Sequence, residues 1–189
     1  MLKSQGLRLE DLDFIAHSFN TDDLINKNTD VISAYISKSP YTLEKKGVEY
    51  NVFDPKKYGF DMYSDLLYTN QNLINYDLNT VLLFKKASLK GWEYAFKNKE
   101  EIVNLIYNKY TQRKTPESLL FEANQTEKLF KTNVFKIGAI TPELIKLNAD
   151  MYSNLGLVDK NQNINSMLLD YYINEKNKIE NLPDKNKNY

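Results

Sequence analysis

Apolar residues at Ile74, Leu78, Val81, Leu82, Leu89, Trp92 and Phe96 recur at helical spacing, with Lys85, Lys86, Lys90, Glu93 and Lys97 between them. A period near 3.6 sustained over that length specifies an amphipathic helix and excludes a strand, whose apolar residues would alternate. The spacing therefore predicts one long helix beginning at Asn70, with Trp92 on its apolar face as a core residue. An apolar stripe of this size must be covered, so further helices or a sheet have to pack on it.

Helix starts follow at intervals. Asn98 with Glu101 three residues on makes a capping box ahead of Ile102, Leu105 and Ile106. Thr115-Pro116-Glu117 and Thr141-Pro142-Glu143 each set a capping hydroxyl before a proline at the first helical position, where its missing N–H costs nothing. The second of these helices carries Leu144, Met151 and Leu155 and stops at Gly156. The repeated Thr-Pro-Glu is a reused cap, because the flanking sequences do not match. Upstream, Gly6 ends a helical tail over residues 1–5, and Asn20-Thr21-Asp22-Asp23 opens a short helix through Leu24 and Ile25. Residues 164–173 are consistent with one last helix, and the polar end from Asn177 is expected to be disordered.

The first third reads differently. Runs at 14–19, 31–36 and 50–53, the last ended by Asp54-Pro55, have the length and composition of buried strands. Strand, helix and strand in quick alternation predict an α/β fold with a parallel sheet.

Composition narrows the function. Lys plus Arg and Asp plus Glu number 25 each, so no charge imbalance points to nucleic acid or an anionic membrane. With no cysteine, disulfide scaffolds, thiolate metal sites and cysteine nucleophiles are excluded. The longest wholly apolar run is the Val81-Leu82-Leu83-Phe84 quartet, far short of a membrane span, and no signal-peptide core follows Met1. Six glycines form no phosphate loop, and no Asp/Glu/His spacing matches a known metal motif. His17, the lone histidine, sits in an expected strand and is read as structural. Ser18, Ser33, Ser37, Ser39 and Ser64 lack a nucleophile-elbow context. Nothing assembles a catalytic site.

Binding residues are easier to nominate. The loop Ser37-Lys38-Ser39-Pro40-Tyr41 follows the second expected strand, and open α/β sheets gather ligands at the carboxyl ends of their strands. Ser37 and Ser39 can hold a polar solute there, and Tyr35 or Tyr41 can stack on a planar ring. A plain surface turn is the competing reading. Tyr63 and Asp65 form a second candidate pair: the acid, near aromatics, either meets a ligand amine or caps the backbone.

One resemblance organises these pieces. Tyr58-Gly59, Met62-Tyr63-Ser64-Asp65, Leu67-Tyr68-Thr69 and Lys90-Gly91-Trp92-Glu93-Tyr94-Ala95 occur in order, followed by Leu120-Phe121-Glu122-Ala123, Ile137-Gly138 and Leu155-Gly156-Leu157. Over residues 54–96, and more loosely 20–157, the chain resembles the substrate-binding protein family shared by aliphatic-sulfonate and thiamine-pyrimidine proteins. The resemblance implies an α/β, two-lobed, type II periplasmic-binding-protein-like fold, of which this chain is the helix-rich C-terminal portion. Residues 1–53 would then be the later part of the second lobe, 54–158 the return into the first, and 159–189 a polar, partly disordered tail. It also implies a non-enzymatic solute-binding domain of a bacterial ABC importer or a membrane sensor, taking a pyrimidine-like or sulfonate-like solute without a cofactor. Its partner would be a permease or a membrane-bound signalling module, and its place periplasmic or extracytoplasmic if the full-length protein carries a signal. Half of a clamp should bind weakly and leave sheet edges open. Relatives often place an acid where Ser39 stands, and a neutral hydroxyl cannot make the same charge-assisted bond to an aminopyrimidine. The alternatives are a thiamine-pyrimidine synthase-like enzyme, disfavoured because that branch uses a cysteine-rich segment, and a truncated remnant.

Overall fold

The computed structural model describes residues 2–63, 65–130 and 137–180. These fall into two compact units. One comprises Leu2–Phe53 and Asp65–Ala139; the other comprises Asp54–Ser64 and Ile140–Tyr189, each counted over its described residues.

The first unit is built on helices. The expected long helix is interrupted once, giving α3 (Gln71–Tyr76) and α4 (Leu78–Lys97) after the short α1 (Asp22–Ile25) and α2 (Ser39–Lys45). The break lies at Asp77, whose Oδ1 accepts from the Thr80 N–H at 3.0 Å and so starts α4 afresh. Asn70 caps α3 in the same way through the Leu73 N–H, at 2.8 Å. Next come α5 (Lys99–Lys109) and α6 (Pro116–Phe130), the latter capped by Thr115 Oγ1, which accepts from the Ser118 N–H at 3.2 Å.

The capping box expected at Asn98 and Glu101 does not form. Asn98 Nδ2 donates instead to the Tyr94 carbonyl at 2.9 Å, and the Glu101 carboxylate accepts from the Tyr94 hydroxyl at 2.8 and 3.0 Å. A tyrosine one turn before the end of α4 outcompetes the local motif, because both polar side chains can reach it across the one-residue link.

Leu43, Phe96, Val103 and Leu119 are the buried apolar side chains among the described residues, contributed by α2, α4, α5 and α6. Around Phe96 the rings of Trp92 and Phe130 stack with centroids 5.0 Å apart, and Phe96 lies 5.6 Å from each. Trp92 thus joins the core as expected, but its outer face keeps 44% exposure. At the same end of the α5/α6 pair, Lys99 Nζ sits 2.5 Å from Glu127 and 2.7 Å from Asn124 Oδ1, with both charged side chains mostly covered. Lys114 pairs with Glu122 in a similar half-buried setting.

The strand expectations need correction. Among the described residues no strand forms, and the runs 14–19, 31–36 and 50–53 are unpaired, so the α/β sheet is not seen. A strand's backbone groups are satisfied only by a neighbour, and apolar composition cannot supply one. Phe19 closes the first run with φ +60°, a left-handed conformation that ends any extended pairing there. Residues 2–5 form a 3₁₀ turn rather than the end of an α-helix, closed by Gly6 at φ +77°.

In the second unit, Pro55–Tyr58 is a 3₁₀ turn started by Asp54, whose Oδ1 accepts from the Lys56 N–H at 3.0 Å. Helix α7 (Pro142–Asn154) begins where the Thr-Pro-Glu motif places it. It ends as expected at Gly156, with φ +74°, the Gly156 N–H on the Ser153 carbonyl and the Leu157 N–H on the Tyr152 carbonyl. A 3₁₀ turn (Ile164–Met167) and α8 (Leu169–Glu180) follow, so helix continues past Asn177, where disorder was expected. The rest of that expectation, residues 181–189, lies outside the described residues, as do Met1 and Ser64.

Candidate functional site

The loop nominated from sequence turns directly into α2. The Tyr35 carbonyl accepts from the Lys38 and Ser39 N–H groups at 3.0 and 3.2 Å, and Pro40 then fixes φ in the first helical turn. Ser39 is buried, with its Oγ 3.1 Å from Thr21 Oγ1, and neither hydroxyl faces solvent. At the opposite end of α2, Lys46 Nζ lies 2.6 Å from Asp22 Oδ1. Two struts therefore hold the helix against the turn at Thr21 and Asp22, and they set the pose of the loop between them.

The aromatic candidates separate. The Tyr41 ring packs 5.4 Å from Phe121 of α6, with Lys45 Nζ 5.8 Å from its centroid, so it braces α2. Tyr35 is 65% exposed and its ring is open to a planar partner. Ser37 is half-buried between them in sequence, and Asp65 is exposed in the same unit. Tyr63 belongs to the other unit. Its hydroxyl accepts from the Thr141 N–H at 2.9 Å and lies 3.2 Å from Thr141 Oγ1, and Thr141 gives its own helix no side-chain cap, contrary to expectation. Asn148 of α7 reinforces this by donating to the Asp61 carbonyl at 2.7 Å.

An open depression of about 610 Å³ lies along Val48, Glu49, Tyr50 and Asn51, and none of the six nominated residues lines it. Sequence reasoning used Thr21 only as a cap residue and Phe121 only as part of a motif. Their contacts with Ser39 and Tyr41 span 18 and 80 positions, which no local pattern reports.

The Asp22–Lys46 strut carries a pH consequence. The hydrogen bond from Lys46, aided by its charge, holds the Asp22 carboxyl below its usual range. A carboxylate with a lowered folded value stabilises above the unfolded value, about pH 3.9 for Asp, and that contribution is lost as pH falls through the lowered one. Replacing Lys46 with methionine should therefore remove the part of the acid-unfolding curve below about pH 4 that depends on this pair. Circular dichroism titrations of the two proteins that superimpose would show that the strut adds nothing.

The family model described as NMT1/THI5 like matches residues 1–102, more than half of the chain. The chain belongs to the NMT1/THI5-like family. This family has a periplasmic-binding-protein-like fold, and the matched residues include the whole of the α2 loop and its struts. The chain is also similar to a formylaminopyrimidine-binding protein of Halalkalibacterium halodurans, 26% identical over 87 residues. That match takes in 46% of this chain and spans only 26% of the relative's length. No solved structure matches the chain. None of the described helices of this NMT1/THI5-like chain is long and apolar enough to cross a membrane.

Proposed function

We propose that this chain is a solute-binding domain without catalytic chemistry of its own, serving a bacterial importer or an extracytoplasmic sensor. Membership of the NMT1/THI5-like family carries the reading, and similarity to a protein named for binding formylaminopyrimidine favours a planar nitrogen heterocycle over a sulfonate. In this reading Tyr35 stacks on the ring, Ser37 offers a hydroxyl, and Asp65 accepts from a ligand amine. Ser39 and Tyr41 hold the loop from behind. Asp65 takes the role of the acid missing beside Pro40. Tyr63 is assigned to positioning, since its hydroxyl is already bonded.

Thermal unfolding with a formylaminopyrimidine or an alkyl sulfonate tests this. A ligand at a hundredfold over its dissociation constant adds about 2.7 kcal/mol, a clear rise in melting temperature. Tyr35→Ala and Asp65→Asn should each remove the rise while moving the ligand-free midpoint little, since both positions are exposed. No rise with either compound class would sink the proposal, and a rise that survives both substitutions would relocate the site.

A further inference from the structure

Phe19 is held in a conformation that a bulky side chain rarely takes. Its φ is +60°, in the left-handed region, where Cβ crowds the following carbonyl. Such a residue persists only where its surroundings hold it. One side chain does so twice over. The Phe19 N–H donates to His17 Nδ1 at 3.3 Å, and the two rings stack with centroids 4.5 Å apart. Nδ1 accepts only while it carries no proton, so the neutral imidazole has its proton on Nε2. Histidine is the side chain whose ordinary charge change falls between about pH 5 and 8.

The strained residue lies at the root of the support for α2. Ser18 Oγ accepts from the Asn20 N–H at 3.1 Å and donates to the Asp23 carboxylate. Asn20 Oδ1 accepts from the Asp22 N–H at 3.0 Å. Side chains two residues earlier thus hold the N–H groups of Phe19, Asn20 and Asp22 in succession. This run delivers Thr21 to Ser39 and Asp22 to Lys46, the two struts of α2. We infer that His17 is a pH switch for the turn at 17–20. Neutral, it locks Phe19 in the left-handed conformation; protonated, it releases Phe19 and loosens the turn that carries the struts.

The switch works by turning an acceptor into a donor. A proton on Nδ1 faces the Phe19 N–H, and the hydrogen bond becomes a repulsive contact. The new cation has an alternative partner. Asp23 of α1 is the charged group it faces, and its carboxyl is held below the usual range by the Ser18 hydroxyl, then by Asn28, with the charge of His17 a smaller contribution. Asp23 therefore stays ionised where histidine titrates, and an imidazolium drawn toward it leaves the Phe19 N–H. Both His17 and Phe19 are exposed, so the proton reaches the ring and the backbone can turn without disturbing packed neighbours. The inference does not depend on the solute-binding proposal, because no ligand enters it.

Nuclear magnetic resonance on the full chain tests this through the three-bond coupling between the amide and α protons of Phe19, which reports φ and not a nearby charge. The coupling should change along the same curve as the His17 ring resonances, between about pH 5 and 8. His17→Asn, whose side-chain oxygen accepts from the N–H two residues on at any pH, should keep the neutral-form coupling throughout. His17→Ala should show the acid-form coupling throughout. Below the transition the α2 amides should lose about threefold or more of their protection from hydrogen exchange, relative to unstructured rates, in the unaltered chain but not in His17→Asn. A Phe19 coupling that ignores pH, a His17→Ala coupling equal to the neutral form, a His17→Asn chain that follows the unaltered titration, or α2 protection that is the same on both sides would each overturn the inference.

Discussion

Replacing Phe96 with alanine is expected to cost the helical unit about 3–5 kcal/mol, enough to unfold much of it at room temperature. Phe96 is only 6% exposed and fills the space between Trp92 and Phe130, so truncation leaves a cavity walled by two rings. The size of the loss follows from how little else is buried: three other apolar side chains share that class among the described residues. A chemical denaturation midpoint that shifts by less than about 1 kcal/mol would mean the rings close over the gap. Tryptophan emission reports the same event, since Trp92 would lose its stacking partner's support.

The second large effect is at Lys99. Its ammonium sits between Glu127 and Asn124 with side-chain exposures of 20% and 22% for the ion pair. Lys99→Ala strands a half-buried carboxylate and should cost about 1–3 kcal/mol. The contrast is Lys146–Asp150 on α7, a single-turn pair at 70% and 58% exposure, whose loss should cost no more than about 0.5 kcal/mol. Equal effects from the two alanine variants in urea melts would show that burial is not what distinguishes them.

Both predictions concern helices, and the helices were the legible part. Periodicity located α4, and a proline after threonine fixed the starts of α6 and α7 to the residue. What could not be read is which partner each polar group chooses. Thr141 looked like its own helix's cap, but its side chain meets the hydroxyl of Tyr63, 78 positions earlier, and caps nothing in α7. Asp77 looked like one more polar position on a continuous helix, yet its carboxylate on Thr80 splits the element in two. The expected strands failed for a related reason. Residues 31–36 have strand composition, but a ladder needs a second backbone, and nothing within a local window says whether one is present. At the candidate site the sequence located the loop before α2 but not its contacts: Ser39 faces Thr21 and Tyr63 faces Thr141.

Helices α4 and α5 are joined by Asn98 alone, and Tyr94, Asn98 and Glu101 lock the joint from both sides. Each residue of an α-helix advances the face by about 100°. One residue gained or lost at this joint would swing Val103 out of the core by more than a quarter turn, and no slack exists to absorb it. The stretch from Tyr110 to Thr115 before α6 is longer, and although Lys114 on Glu122 and the Thr115 cap pin its far end, a change of length can be taken up before them. The joint at Asn98 therefore fixes the reading frame of this half of the molecule: natural length variation should collect on one side of α5 and be absent from the other.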